Sequence, residues 1–146
     1  MSTKILYMAY GSNLNLEQMS RLCPNSRMIE KTRLEGYRLV FRGEDGKAFL
    51  NIEKEEGQSV PIMIWEIDQA DELSLDGFEN FPIQYHKKYK QMEVEGKTQE
   101  VMVYIMNWGE PLGRPSESYY RTVEDGYFEA DFDQAELEEA LRYSTE

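Results

Sequence analysis

Ile5-Leu6-Tyr7-Met8-Ala9-Tyr10-Gly11-Ser12-Asn13-Leu14 is the stretch on which the reading of this chain turns. Residues 4–10 carry the continuous apolar character of a buried strand. The chain then meets Gly-Ser-Asn and passes into a short helical pattern over 15–22, with Leu16, Met19 and Leu22 on one side. A strand that turns this way into a helix leaves several backbone N–H groups without intrahelical acceptors, pointing in one direction. Such a turn holds a carboxylate or an oxyanion with no cationic side chain. The same residues also serve a plain strand-to-helix turn, with Gly11 relieving the bend and Ser12 or Asn13 capping the helix.

Outward from this stretch the pattern alternates strand and helix. Pro24 stops the first helix. Tyr37, Leu39 and Phe41 alternate with Arg38 and Arg42, and the polar turn 44–47 leads to a second strand at 48–53. A further strand spans 60–67, and Asp68 is placed to cap a helix whose first turn holds Asp71 and Glu72. Strands at 85–94 and 101–108 pair around Gly96, a helix starts near Ser116, and a last one starts at Asp133 with Glu136 at capping-box spacing. The expectation is one α+β domain over residues 1–146. It has about six mostly antiparallel strands in a small mixed barrel or strongly curled sheet, helices flanking it, and segment 109–118 as one wall of a cleft.

Composition narrows the function. With 28 acidic against 16 basic residues, the formal net charge is −12, which argues against nucleic-acid binding and against docking on an anionic membrane. An anionic substrate must therefore be met locally by oriented N–H groups. One cysteine, Cys23, forms no intrachain disulfide, and one histidine, His86, makes no multi-histidine metal site. The start of the chain reads as neither leader nor membrane span, so the expectation is a cytoplasmic protein. Ten tyrosines supply rings for burial and hydroxyls for a polar pocket.

Glu79 is the acid singled out. It lies between Phe78 and Phe81, just before Pro82, where the helix breaks. Aromatic surroundings desolvate a carboxylate and lift its pKa toward acid–base use. Pattern alone does not lift Glu79 out of the ordinary reading, a solvated glutamate at a helix end. Cys23 reads as a buried structural thiol, His86 as a surface residue, and Lys87, Lys88 and Lys90 as a solvated strand face.

Taken together, the segments resemble the γ-glutamylcyclotransferase-like family. Tyr10-Gly11-Ser12-Asn13-Leu14 is similar to its YGSNL signature; Leu75-Asp76-x-x-Glu79 with Pro82 and Tyr85 is similar to its LDxxEGxPxxYxR region. Pro115-Ser116-x-x-Tyr119, then Val123 and Gly126, resembles its carboxy-terminal PSxxY helix. The resemblance spans about residues 7–127. It implies a barrel-like α+β fold with a cleft, no metal or organic cofactor, and a small γ-glutamyl substrate cyclised to 5-oxoproline with release of an amine or amino acid. By it Glu79 is the acid–base residue, Tyr10 through Leu14 the substrate loop, and Tyr85 and Tyr119 pocket residues. Oligomeric state stays open.

Three positions depart from the family pattern: Asn80 in place of a glycine after the glutamate, Ile62 in place of a common glycine, and His86-Lys87 in place of an Arg-containing pair. Asn tolerates left-handed backbone angles, and Ile62 is expected to reshape the cleft. The alternative to an enzyme is a binding or regulatory protein that keeps the fold and cleft without catalysis.

Overall fold

β1 (Ile5–Ala9) is the central strand of a five-stranded sheet in the order β2-β3-β1-β5-β4. The computed structural model describes residues 4–146. β1 runs antiparallel to β3 (Phe49–Ile67) and parallel to β5 (Lys97–Met106), while β2 (Arg27–Arg42) and β4 (Tyr85–Val94) form the edges. A strand covered on both faces needs apolar residues at successive positions, and Tyr7, Met8 and Ala9 are all buried. The apolar run of the sequence is thus explained by position in the sheet.

The sheet has five strands where the sequence suggested six. Segments 48–53 and 60–67 are two halves of the single strand β3, and β2 extends back to Arg27. The halves are separated by a break in register: Glu35 pairs with Ser59 and Tyr37 with Lys54, so Gly36 alone opposes four residues of β3. Gly36 and Gly57 take φ of 82° and 86°, values that favour glycine and bend the hairpin at this bulge. The polar stretch 54–58, read in sequence as the gap between two strands, is this bulge.

Bending carries the first half of β3 over to the far side of the sheet. There the Tyr85 hydroxyl donates to Leu50 O at 2.9 Å, and Met106 N donates to Asn51 Oδ1 at 2.9 Å. The edge strands approach without a backbone ladder: Lys90 Nζ sits 4.7 Å from the Tyr37 ring, and Glu95 N donates to Glu30 Oε1 at 3.1 Å. The sheet is strongly curled and open rather than a closed barrel.

Four α-helices flank the sheet: α1 (Leu16–Leu22), α2 (Gln69–Phe78), α3 (Glu117–Ala130) and α4 (Gln134–Thr145). Asp68 caps α2 in a reciprocal box with Asp71, as its position in sequence suggested. The expected partnership of Asp133 and Glu136 does not form. Asp133 accepts from Ala135 N, while the Glu136 carboxylate is held by Arg33 in a two-pronged ion pair. A short 3-10 turn, Ser12–Leu14, follows β1. The cap of α1 is Asn15, accepting from Gln18 N, and not Ser12 or Asn13. No helix among the described residues is long and apolar enough to cross a membrane.

Two other expectations resolve at this level. Cys23 is buried, and desolvation followed by the nearby Asp71 and Asp68 charges pushes its thiol up to about 12, so it stays protonated and inert. Lys87 does not belong to a solvated face. Its ammonium is 2.6 Å from Glu72 and 2.9 Å from Asp76, and it stands 4.4 Å from the centre of the Phe81 ring. Those carboxylates outweigh burial and keep its pKa raised. The lysine thereby ties both the first turn and the later part of α2 to β4.

Candidate active site

A cavity of about 410 Å3 opens where the turn after β1, the end of α2, the start of β3 and the first turns of α3 converge. That volume suits a small metabolite. The expected wall at 109–118 is met by its last part: Ser116 and Ser118 line the cavity, whereas Gly109 and Glu110 face elsewhere.

Glu79 stands at the C-cap of α2, its N–H bonded to Leu75 O at 2.8 Å. The following residue, Asn80, has φ of 53°, so the left-handed turn that a glycine would make is made by an asparagine instead. This turn aims Glu79 into the cavity, which the largely exposed Phe78 also lines. The Glu79 carboxyl accepts no hydrogen bond and pairs with no cation among the described residues. Desolvation alone raises its pKa, to about 7. Among the described residues no Lys, Arg or His lines the cavity.

Five tyrosines surround this carboxyl: Tyr7, Tyr10, Tyr85, Tyr104 and Tyr119. Burial, and with it the Glu79 charge, holds every one of their hydroxyls above the ordinary phenol value, so all stay protonated. Their protons are committed differently. Tyr10 donates to Tyr104 O at 2.8 Å, Tyr85 to Leu50 O at 2.9 Å, and Tyr104 to Asp76 Oδ1 at 2.6 Å. Tyr119 and Tyr7 instead accept. The Tyr119 oxygen takes Leu50 N at 3.1 Å, and the Tyr7 oxygen takes Asn13 Nδ2 at 2.8 Å. Gln18 Nε2 donates to Asn13 Oδ1 at 3.0 Å, consistent with that orientation of the Asn13 amide. Tyr7 and Tyr119 therefore keep their own hydroxyl protons for whatever occupies the cavity.

The loop Tyr10–Leu14 is placed by close backbone packing. A Cβ on Gly11 would sit 3.3 Å from the Tyr119 hydroxyl, so this glycine lets that ring approach. Ser116 caps α3 by accepting from Tyr119 N at 3.1 Å, which fixes the turn bearing the ring. Leu14 N and Asn15 N bond within the turn, whereas the N–H groups of Gly11, Ser12 and Asn13 bond to no backbone acceptor among the described residues. Tyr10, Gly11, Ser12 and Asn13 line the cavity with Glu79, Tyr85 and Tyr119. Leu14 does not; it is fully buried beneath them. Ile62, expected to reshape the cleft, is also core and not lining.

Sequence reasoning missed Tyr7, Gln18 and Tyr104. Tyr7 and Tyr104 sit inside apolar strands, where a tyrosine is indistinguishable from a packing residue. Only the pairing Tyr7↔Met102 between β1 and β5, with the curl of the sheet, brings both to one pocket.

The family model for γ-glutamyl cyclotransferase, AIG2-like, matches residues 7–130. The chain belongs to that family. Among solved structures, one described as γ-glutamyl cyclotransferase has 23% identity and a TM-score of 0.78, with 94% of this chain and 86% of that chain covered. The human uncharacterized protein loc79017 has 24% identity and a TM-score of 0.77, with the same coverages. YkqA from Bacillus subtilis has 17% identity and a TM-score of 0.78, and this chain spans 54% of its length. At these identities the likeness establishes the fold. A search of curated protein sequences finds no match.

Proposed function

We propose that the chain is a γ-glutamylcyclotransferase, closing the γ-glutamyl group of an amide onto its own α-amino nitrogen and releasing 5-oxoproline and an amine or amino acid. The observation that carries the reading is the lone Glu79 carboxyl, tuned to about 7 and free of protein partners in a cavity of neutral donors. Family membership supports it.

Nucleophile and electrophile belong to one substrate molecule, so holding it folded supplies most of the advantage. Well-oriented intramolecular reactions gain about 7–11 kcal/mol. The α-amino group arrives as an ammonium. Glu79, as carboxylate, takes one proton from the ammonium, and the freed lone pair bonds to the γ-carbonyl carbon; the proton passes to the leaving nitrogen. Glu79 then takes the second proton from the new ring nitrogen and passes it the same way as the oxyanion collapses and the C–N bond breaks, so the amine leaves as its ammonium and Glu79 is again a carboxylate. No water is consumed. The loop N–H groups, with the hydroxyl protons of Tyr7 and Tyr119, are the donors for the substrate α-carboxylate and the oxyanion.

The test is a panel of γ-glutamyl amines and dipeptides with 5-oxoproline as readout. Turnover is expected on at least one, with kcat/KM rising through about pH 7 as Glu79 ionises. Tight binding of panel members without any cyclised product would overturn the assignment in favour of a binding protein. Tyr7→Phe and Tyr119→Phe divide the donor roles. Each is expected to lower kcat/KM by roughly 10²-fold. The variant that loses oxyanion contact shows the loss in kcat, and the one that loses α-carboxylate contact shows it in KM.

A further inference from the structure

A second concavity, of about 530 Å3, lies between the bent half of the β2–β3 hairpin and the β4–β5 pair. It shares no lining residue with the first. On its floor Asn51 is only 5% exposed. Because Asn51 Oδ1 accepts from Met106 N, the amide orientation is set and its NH2 borders the groove. That NH2 makes no hydrogen bond among the described residues and opens onto the groove, so both its protons are available to a ligand.

His86, expected at the surface, is half-buried here, with Nδ1 2.7 Å from Asn107 Oδ1. Asn107 Nδ2 donates to Pro82 O and Ile83 O, each at 2.9 Å, so its oxygen must face the imidazole. Nδ1 therefore carries the proton and Nε2 remains unengaged. Lys54 and Lys88 stand exposed on the rim and form no salt bridge among the described residues, a local excess of positive charge in a chain of formal net charge −12. Of the acids nearby, Glu53 is held by Arg42 in a two-pronged pair, and Glu110 lines the groove with no salt bridge among the described residues.

Trp108 completes the groove with 97% of its surface exposed. Its loop is pinned: Asn107 N donates to Gln84 O, Gly43 N to Pro111 O, and Arg42 Nη1 to Glu110 O, all within 2.8–2.9 Å. An indole presented to water on an anchored loop, beside an unpaired amide donor and two lysines, matches a flat group bearing an anion.

We propose that this groove binds a carboxylate attached to an aromatic group, the carboxylate on the Asn51 NH2 and the rim lysines, the ring against Trp108. This holds independently of the reaction assigned to Glu79. The chain has two tryptophans, and Trp65 is 6% exposed, so acrylamide quenching reads Trp108. N-acetyl-phenylalanine is expected to protect Trp108 from acrylamide and its carboxamide is not. A peptide ending in phenylalanine, with free or amidated terminus, distinguishes a polypeptide end from a small acid: at least 10-fold tighter binding of the free-terminus peptide than of the amidated one assigns the former, binding of neither peptide the latter. Asn51→Asp keeps the acceptor for Met106 N while replacing the donor with an anion, and Lys88→Glu alters only the rim. Each is expected to weaken protection at least 10-fold, with circular dichroism unchanged. Equal protection by the carboxamide, no protection at all, or undiminished affinity in both variants overturns the proposal.

Discussion

Glu79→Gln is expected to form 5-oxoproline roughly 10²–10⁴-fold more slowly than the unaltered chain, and to be more stable to urea above pH 7. Glutamine keeps the shape and the packing of the side chain but carries no transferable proton, so the loss falls on kcat. The gain in stability follows from the same desolvation that tunes the acid. Holding a carboxyl at about 7 rather than its ordinary 4.5 costs on the order of 3 kcal/mol once it is ionised. A raised carboxyl pKa means that the folded chain binds its proton more tightly than the unfolded chain. Stability from this group is therefore complete below about pH 4.5, declines as pH rises, and is lost above about 7. Urea unfolding of both proteins at pH 5 and pH 8 checks the sign: the advantage of the variant grows with pH. Unchanged turnover together with a pH-independent stability difference would remove Glu79 from the mechanism.

Gly126→Ala is the second large effect. α3 crosses the 3-10 turn at this glycine, and an added Cβ would lie 2.8 Å from Asn15 N and from Leu14 C, and 2.9 Å from Leu14 Cβ. Two of those atoms are main chain and cannot rotate aside, so the turn or the helix must move. Overpacking of this kind costs about 1–3 kcal/mol, read as a fall in Tm of roughly 2–12 °C for a chain of this size. Because Asn13 lies on the displaced turn and bonds Tyr7, KM is expected to rise as well. Gly77→Ala is the control. This glycine lies within α2 with nothing inside 4 Å of the new Cβ, and the change is expected to stabilise by about 0.5–1 kcal/mol. A Gly126→Ala protein as stable as the parent would refute the close crossing.

How much of this was legible in the sequence follows from which forces are local. The turn after β1, the Asp68 cap and the placement of Glu79 near a helix end all depend on neighbours within a few residues, and each stands where the sequence put it. The count of strands did not, because a polar stretch containing Gly57 is the same signal whether the chain ends a strand or bulges within one. Lys87 was misread for a related reason: its partners Glu72 and Asp76 lie on a helix brought near by the fold, and a run of lysines looks solvated until that helix is placed. The family resemblance supplied the link between Glu79 and the distant turn. Local chemistry contained no measure of the distance between them.

Consecutive residues of β3 serve two different concavities, Leu50 contacting the tyrosines of one and Asn51 forming the floor of the other. In an extended strand adjacent side chains face opposite ways, so a single-residue deletion in the connection at 43–48 would exchange their roles. That short connection is therefore bound to a fixed length, and variation tolerated by most surface turns would here disable both chambers at once.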